Sequence, residues 1–435
     1  MHTSAHSNIP ASSISLHTKL LTLLMVFLCT SLALYPILLN LISPVLYFSF
    51  ALTFVLVIIG LPLRHFRVPH SFILYTWLSF SFIYIFWLFV SVIYGNNLLY
   101  VYQDSAGFIL YLVVLPVLYL FILHNHLQRF FFLYIEHLSR FIALFSIFVA
   151  LIVYLLFGGI STDSIVAIHS FANSFGLAWK IDHNSEVLGL YTNVAHLVLL
   201  GNALALYRFS RSLAFRDLLW IISYILALFF DGRRGLVVAE IMQLLIVAPL
   251  IFCRLTSLHR AISLFVIIFA LGYLLFPNID WILNRFTFTS ADPSSYQRYT
   301  QIPALIRKID EKPLLGNGFG SFASVIRSTE RPFSYEVDFL ATFMKLGLVG
   351  GLLYFCTYLY GVFQALRIRD SIAIYLISAG VPFFFFMGTN GNQAMSTDSS
   401  VFHIFLFLTI AFSQSMRYSS NSTSIPLLSC NRKCS

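Results

Sequence analysis

Apolar residues run along this chain in long blocks that short polar connectors separate, a pattern typical of transmembrane helices. A helix needs roughly 20 apolar residues to cross ~30 Å of hydrocarbon. By that measure we predict twelve spanning helices, near residues 20–37, 43–62, 71–93, 105–123, 138–157, 186–207, 213–230, 235–253, 261–276, 337–364, 371–388 and 400–415. The predicted fold is an all-α, polytopic transmembrane bundle of about twelve helices, which forms one integral membrane domain over residues 1–435.

Two connectors are much longer than the others, a large loop at 277–335 and a medium loop at 158–185. The distribution of Lys and Arg predicts their side, because cytoplasmic loops carry the excess of these residues. If the N-terminus is cytoplasmic, the short external loops hold only Lys180, Arg233 and Arg234, while most other basic residues outside the large loop are cytoplasmic. We therefore predict that both termini, including the tail 416–435, are cytoplasmic and that both long loops are external.

Composition excludes a soluble domain, since 59% of the residues are hydrophobic and only 10% are charged, against roughly 25% charged residues in soluble proteins. The net charge of +9 arises from single Lys and Arg residues between apolar blocks and not from a basic patch, so we expect no nucleic-acid partner. Five cysteines form no CxxC motif, and the histidines show no metal-ligand spacing. We expect no metal and no cofactor.

The large loop contains a predicted amphipathic helix. Asp292 and Pro293 suit its N-cap and first turn. An apolar stripe follows at spacings of three and four residues, formed by Tyr296, Tyr299, Ile302, Ile306 and Ile309. The helix should stop before Pro313, and its stripe is suited to lying at the outer membrane–water interface.

A short external connector, Asp231-Gly232-Arg233-Arg234-Gly235, joins the seventh and eighth predicted helices. Its two arginines run against the positive-inside bias, and a guanidinium matches phosphate through its planar fork and permanent charge. We interpret Arg233 and Arg234 as an anion site for a lipid-linked phosphate or diphosphate. The alternative is that Asp231 pairs with one arginine while both arginines reach lipid headgroups.

Two features of the large loop suit the same ligand. Arg298, on the predicted interfacial helix, would complete a phosphate clamp, or would serve only as an anchor for membrane phospholipids. The stretch 316–320, with Asn317 and Gly318 as candidate substrate contacts, is glycine-rich like a phosphate-binding loop but lacks a following Lys-Ser/Thr. Its alternative role is a tight turn that brings the loop back against the helices.

Carboxylates stand at the external start of the tenth predicted helix. Glu336 and Asp338 are two residues apart, so on a helix they point about 200° apart and at most one faces a given pocket. That one would act as general base on a sugar hydroxyl, unless both only complement the helix dipole. Glu240, inside the eighth helix, is expected to form a structural pair with an arginine of the connector above it. Lys180, in the medium loop, is a further candidate substrate contact.

The order of these features resembles the bacterial O-antigen polymerase and O-antigen ligase superfamily. The resemblance lies in residues 231–235, 294–298, 313–320 and 336–350, where Phe339-Leu340 precede Leu346-Gly347-Leu348-Val349-Gly350. It covers about residues 230–350, and elsewhere it rests on the number of helices.

The resemblance implies a glycosyltransferase of the bacterial inner membrane that acts at the periplasmic face on a glycan linked to undecaprenyl diphosphate. It implies that Arg233 or Arg234, with Arg298, contacts the diphosphate, that no cofactor is needed, and that a chain-length regulator is a candidate partner besides membrane lipids. Ligases of this superfamily tend to carry a histidine at the end of the large loop. This chain has no histidine in that loop, which favours a polymerase. A ligase that transfers the glycan to lipid A core, and a transporter or flippase of lipid-linked sugars, are the alternatives.

Overall fold

The computed structural model describes residues 16–34, 71–124, 126–157, 180–181, 190–191, 195–231, 234–252, 293–326, 329, 331–367, 371–388 and 397–420. These residues form eleven helices and one short antiparallel ladder. The helices are α1 (Leu16–Leu34), α2 (Ser71–Ile93), α3 (Leu98–His124), α4 (Gln128–Phe157), α5 (Leu197–Ser212), α6 (Phe215–Asp231), α7 (Arg234–Phe252), α8 (Pro293–Glu311), α9 (Asp338–Arg367), α10 (Ser371–Gly388) and α11 (Thr397–Ser420). The ladder pairs β1 (Lys180–Ile181) with β2 (Leu190–Tyr191).

Ten of these helices coincide with ten of the twelve predicted spans, and α8 lies where the interfacial helix is predicted. The predicted spans at 43–62 and 261–276 lie outside the described residues. Four helices are long and apolar enough to cross a membrane, at residues 72–93, 98–123, 128–152 and 338–364. Shorter apolar stretches occupy α7, α10 and α11. The helical fold is thus confirmed for the described part of the chain, whereas the number of spans and the loop layout stay predictions.

The outward faces of the helices are apolar, as contact with lipid tails requires. Phe89 on α2 and Phe141 and Phe148 on α4 are 66%, 62% and 58% exposed. Large exposed apolar surfaces of this kind mark contact with a membrane or a partner. The interior is rich in aromatic contacts, such as the stacking of Tyr358 on Phe384, whose ring centroids are 3.9 Å apart.

The turn between α2 and α3 marks one end of the bundle. There Asn96 donates hydrogen bonds from Nδ2 to the carbonyl oxygens of Asn317 (2.8 Å) and Phe319 (2.9 Å). The glycine-rich stretch of the large loop therefore lies at the same end as residues 94–97. Both segments are predicted to be external, and the structure agrees that they share one end.

An ion-pair network marks the opposite end of the bundle, near the turn from α3 into α4. Glu136 of α4 accepts hydrogen bonds from Arg140 and from Arg208 of α5. Arg208 also donates from Nε to Oδ1 of Asp217 on α6, at 3.2 Å. These charged residues belong to segments predicted to be cytoplasmic, so the two predicted sides occupy the two ends of the bundle.

Three predicted helix starts differ from the observed starts by seven residues or more. The predicted helix 186–207 begins only at Leu197, because Leu190 and Tyr191 form a strand; a short apolar run does not distinguish a strand from a helix. The predicted helices 105–123 and 138–157 begin earlier, at Leu98 and Gln128. The residues that the hydropathy criterion left out include Asp104 of α3 and Glu136 of α4. Each of these acids pairs with another helix, Asp104 with Lys345 of α9 and Glu136 with Arg208 of α5.

The predicted helix 337–364 is not continuous. Gly347 has φ 64° and ψ −173°, which breaks α9 into segments 338–346 and 348–367. The ring of Phe355 lies 5.1 Å from that of Phe339 and 5.6 Å from that of Phe343, although a straight helix would separate residues 339 and 355 by about 24 Å. The two segments therefore fold back on each other as a helical hairpin. The longer one, at about 30 Å, is still long enough to span a bilayer.

Candidate functional site

Helix α8 begins at Pro293, as the sequence predicts, and ends at Glu311 before Pro313. Gln301, Ala304 and Leu305 form its buried face, which packs on the loop and on the first segment of α9. Most of the predicted apolar stripe faces outward, with Tyr296 56% and Tyr299 75% exposed. This arrangement leaves the stripe open to the surroundings while the opposite face fixes the helix to the bundle.

The buried face of α8 brings Arg298 to Glu336. Nε of Arg298 donates a hydrogen bond to Oε2 of Glu336 at 2.9 Å, with the two side chains only 16% and 8% exposed. Gln301, one turn after Arg298 and on the same face, accepts a hydrogen bond from the backbone N–H of Glu336 at 2.9 Å. Two contacts from one helix thus hold the candidate carboxylate in place.

Tyr335, next to Glu336, ties this segment to the loop. Its hydroxyl oxygen accepts a hydrogen bond from the backbone N–H of Ala323 at 2.5 Å, and the side chain is fully buried. Burial raises the pKa of the Tyr335 hydroxyl to about 12; the nearby Asp104 carboxylate adds to the rise and the Ala323 hydrogen bond opposes it. The hydroxyl is therefore protonated at neutral pH and serves to anchor the backbone beside Glu336.

Asp338 is the first residue of α9 and is 3% exposed. The sequence analysis treated Glu336 and Asp338 as residues of one helix. In the structure Glu336 lies just before α9, so the two carboxylates do not share a helical turn. Both are buried, and it is Glu336 that faces the cation of α8. The structure brings Arg298 and Glu336 together and leaves Asp338 on the folded-back segment of the hairpin.

The glycine-rich stretch uses its backbone N–H groups internally. The N–H groups of Gly316, Asn317 and Gly318 donate to the carbonyl oxygens of Lys312, Met344 and Lys345. Those of Phe319 and Gly320 donate to Ser91 Oγ (2.7 Å) and Asp104 Oδ2 (2.8 Å). A phosphate cradle needs N–H groups that point at the ligand, so this geometry favours the tight-turn alternative.

Asn317 and Gly318 have structural surroundings in this turn. Nδ2 of Asn317 donates to the carbonyl oxygen of Lys308 at 2.8 Å. Gly318 has φ +82°, and a Cβ there would lie 2.7 Å from Ser91 Oγ. Only glycine fits such a left-handed, close-packed position without strain. The contacts of both residues hold the loop against α2, α8 and α9. These contacts support a structural role for Asn317 and Gly318 and not a role in binding substrate.

An ion pair that the sequence analysis missed lies beneath this turn. Lys345 of α9 donates from Nζ to Oδ1 of Asp104 on α3 at 2.6 Å, and the side chains are only 4% and 5% exposed. Since the other oxygen of Asp104 accepts from Gly320, one carboxylate joins α3, α9 and the loop. A lone charge inside an apolar block is costly and is normally paired. The position of Lys345 within such a block was therefore the feature of the sequence that indicated a buried ion pair.

The connector between α6 and α7 is as short as predicted, because Asp231 ends one helix and Arg234 begins the next. Arg233 lies outside the described residues, and only the backbone of Arg234 is described. Lys180 pairs with Tyr191 in the ladder, again with only its backbone described. The convergence of these three residues with Arg298 stays a prediction.

A group of three or more His, Cys, Asp or Glu side chains that could hold a metal ion does not occur among the described residues. Neither protein-family models nor curated protein sequences give a match to this chain.

Proposed function

We propose that this protein is a membrane glycosyltransferase that polymerises a surface polysaccharide at the periplasmic face of the bacterial inner membrane. It transfers a glycan from undecaprenyl diphosphate onto the terminal sugar of a second undecaprenyl-diphosphate-linked repeat unit. The observation that carries the proposal is the contact between Arg298 and Glu336 at the edge of α8, where a cation for the diphosphate and a carboxylate for the acceptor hydroxyl lie side by side.

Arg298 suits the diphosphate because a guanidinium has five N–H donors in a planar fork. The Nε edge engages Glu336, and among the described residues no partner occupies the terminal Nη groups. These groups are the ones that would bind phosphate oxygens. Diphosphate is a good leaving group once its developing charge is stabilised, so a fixed cation contributes directly to the rate.

Glu336 suits the role of general base. In the proposed step, the acceptor hydroxyl oxygen attacks the anomeric carbon of the donor sugar and forms the new glycosidic bond. The bond between that carbon and the phosphate oxygen breaks, and its electron pair leaves with the diphosphate. The hydroxyl proton passes to Glu336.

The exposed stripe of α8 supports a substrate that arrives from the membrane. Four residues of the stripe are exposed and lie within about two helical turns of Arg298: Tyr296, Tyr299, Ile302 and Ile306. An amphipathic helix of this kind lies in the interface between headgroups and acyl chains. A carrier lipid in the same layer would present its diphosphate at the level of the helix.

The test is a surface-polysaccharide gel of a deletion strain complemented with variants. Arg298→Ala should leave single repeat units, whereas Arg307→Ala, on the exposed side of the same helix, should restore long chains. Long chains with Arg298→Ala would refute the assignment of Arg298. Polymer that accumulates on its carrier and never reaches lipid A core in the deletion strain would indicate a ligase. Polymerisation of lipid-linked units by the purified protein in detergent, where no sidedness exists, would exclude a pure transporter.

A further inference from the structure

Three polar side chains meet between α5 and α7, away from the site described above. Asn202 and Gln243 are fully buried and Glu240 is 3% exposed. Glu240 and Gln243 lie three residues apart on one face of α7, and Asn202 faces them from α5. Polar groups in such a position must satisfy one another or bind something else.

The hydrogen bonds fix the direction of both amides. Nδ2 of Asn202 donates to Oε1 of Glu240, and Nε2 of Gln243 donates to the carbonyl oxygen of Leu199 at 3.3 Å. Turning either amide around would place two acceptor oxygens against each other, so the partners determine the orientation. The contact that the structure shows for the Glu240 carboxylate is with Asn202. The side chains of Arg233 and Arg234 lie outside the described residues, so the pairing of Glu240 with one of them stays a prediction.

This arrangement leaves a surplus of acceptors. Oδ1 of Asn202, Oε2 of Glu240 and Oε1 of Gln243 have no hydrogen-bond partner within the described part of the chain. No Lys or Arg whose side chain the structure describes forms an ion pair with Glu240, and α10, which packs on α7, contains no charged residue. An isolated buried carboxylate costs several kcal/mol, so a positive species is expected here.

We propose that Asn202, Glu240 and Gln243 bind a small monovalent cation of the sodium type. Carboxylate and amide oxygens are the ligands that hard cations prefer. A single carboxylate balances one positive charge. A divalent ion would leave an excess charge in an apolar surrounding, and Mg²⁺ would in addition keep several waters. The ion would join α5 to α7 below the connector that carries Arg233 and Arg234, since Glu240 lies about 9 Å along the helix from Arg234.

The test uses the purified full-length protein in lipid nanodiscs and needs no polymerisation assay, so this proposal and the proposed function can fail separately. Thermal unfolding is followed between roughly 1 mM and roughly 200 mM NaCl at constant ionic strength, with choline chloride as replacement, because a ligand of the folded state raises the unfolding temperature. Binding of ²²Na⁺ is measured on the same samples. The wild-type protein should bind the ion and become more stable as sodium rises.

Glu240→Gln should abolish both responses, whereas Glu311→Gln, on the exposed surface of α8, should retain them. Gln243→Leu removes one ligand oxygen without a change in charge and should weaken ²²Na⁺ binding about tenfold or more, the equivalent of about 1.4 kcal/mol. This second variant keeps the test valid if Glu240→Gln does not fold. A wild-type protein that binds no ²²Na⁺ and unfolds at the same temperature throughout would overturn the proposal and indicate that Glu240 is a protonated acid. Undiminished binding by Gln243→Leu would likewise overturn it.

Discussion

Nε of Arg298 lies 2.9 Å from Oε2 of Glu336, although 38 residues separate them in the chain. Arg298 belongs to α8, which the sequence predicts to be external, and Glu336 belongs to the segment that leads into the hairpin of α9. In the absence of substrate each side chain neutralises the charge of the other. This pairing lowers the free-energy cost of holding two charged groups in a largely buried position. A diphosphate that binds the outer edge of the guanidinium would change this balance, and the first two predictions test the consequence.

Arg298→Ala should lower the polymerisation rate about 100-fold or more, as expected for the loss of one fixed donor to developing charge. Arg298→Lys keeps the charge but loses the planar fork, so it should recover only part of the activity. The measurement is the rate of chain extension by purified protein on lipid-linked repeat units. Equal rates for the lysine variant and the wild-type protein would show that paired phosphate contacts do not matter.

Glu336→Gln should lower the same rate by about 10²–10⁴-fold if the carboxylate takes the acceptor proton. Glutamine can still accept the hydrogen bond from Arg298, so the position of the guanidinium is retained. The double variant Arg298→Ala/Glu336→Gln distinguishes a base from a positioning residue. Losses that multiply indicate two separate roles, whereas a double variant no worse than Arg298→Ala alone would show that Glu336 only orients the arginine.

The buried pair of Asp104 and Lys345 should be a major contributor to stability. Removing one partner, as in Asp104→Asn or Lys345→Met, leaves a buried charge and should cost about 3–5 kcal/mol of unfolding free energy. The exposed pair of Lys308 and Glu311 is the matched control, and Lys308→Ala should cost about 1 kcal/mol or less. Thermal unfolding in nanodiscs measures both. The double variant Asp104→Asn/Lys345→Met should be less unstable than the sum of its parts, and strict additivity would contradict the pairing.

The hairpin of α9 should depend on Gly347 and Gly316, which pack backbone to backbone. Both have positive φ, and a Cβ on Gly347 would overlap the carbonyl oxygen of Leu314, while one on Gly316 would overlap the backbone N of Gly347. Alanine at either position should abolish folding or assembly.

Gly95 is the control, because its φ is +70° but nothing lies within 4 Å of its Cβ position. Gly95→Ala should cost only the conformational strain, about 1–2 kcal/mol. Similar yields and unfolding temperatures for all three variants would show that the close approach is unimportant.

The sequence predicted those features that local patterns determine. Asp292 and Pro293 predicted the start of α8, and the short gap between the apolar runs 213–230 and 235–253 predicted the tight connector. The bend at Gly347 escaped detection because an apolar run surrounds it, and hydropathy does not change where a helix reverses direction inside an apolar environment. The run Gly347-Leu348-Val349-Gly350-Gly351 was the available indication.

Pairings between distant segments could not be predicted. Asp104 looked like a connector residue, and Lys345 was an unremarked charge in a spanning block, because each finds its partner only once α3 and α9 pack together. The same is true of Arg298 and Glu336. The sequence suggested a role for each, Arg298 toward the diphosphate and Glu336 toward the acceptor, but did not predict the contact between them. A single sequence gives the cost of a buried charge but not the identity of its partner.

The last prediction concerns the environment of α8. Ile306, on the apolar stripe, and Arg307 are neighbours in sequence, but on a helix they point about 100° apart. Both are exposed, so a spin label at either position should leave the fold unchanged. If α8 lies in the membrane interface, a label at Ile306→Cys should be relaxed mainly by oxygen, which concentrates in lipid, and a label at Arg307→Cys mainly by a water-soluble nickel chelate. Equal and strong relaxation of both labels by the chelate would place the helix in water and remove the support that it gives to a lipid-borne substrate.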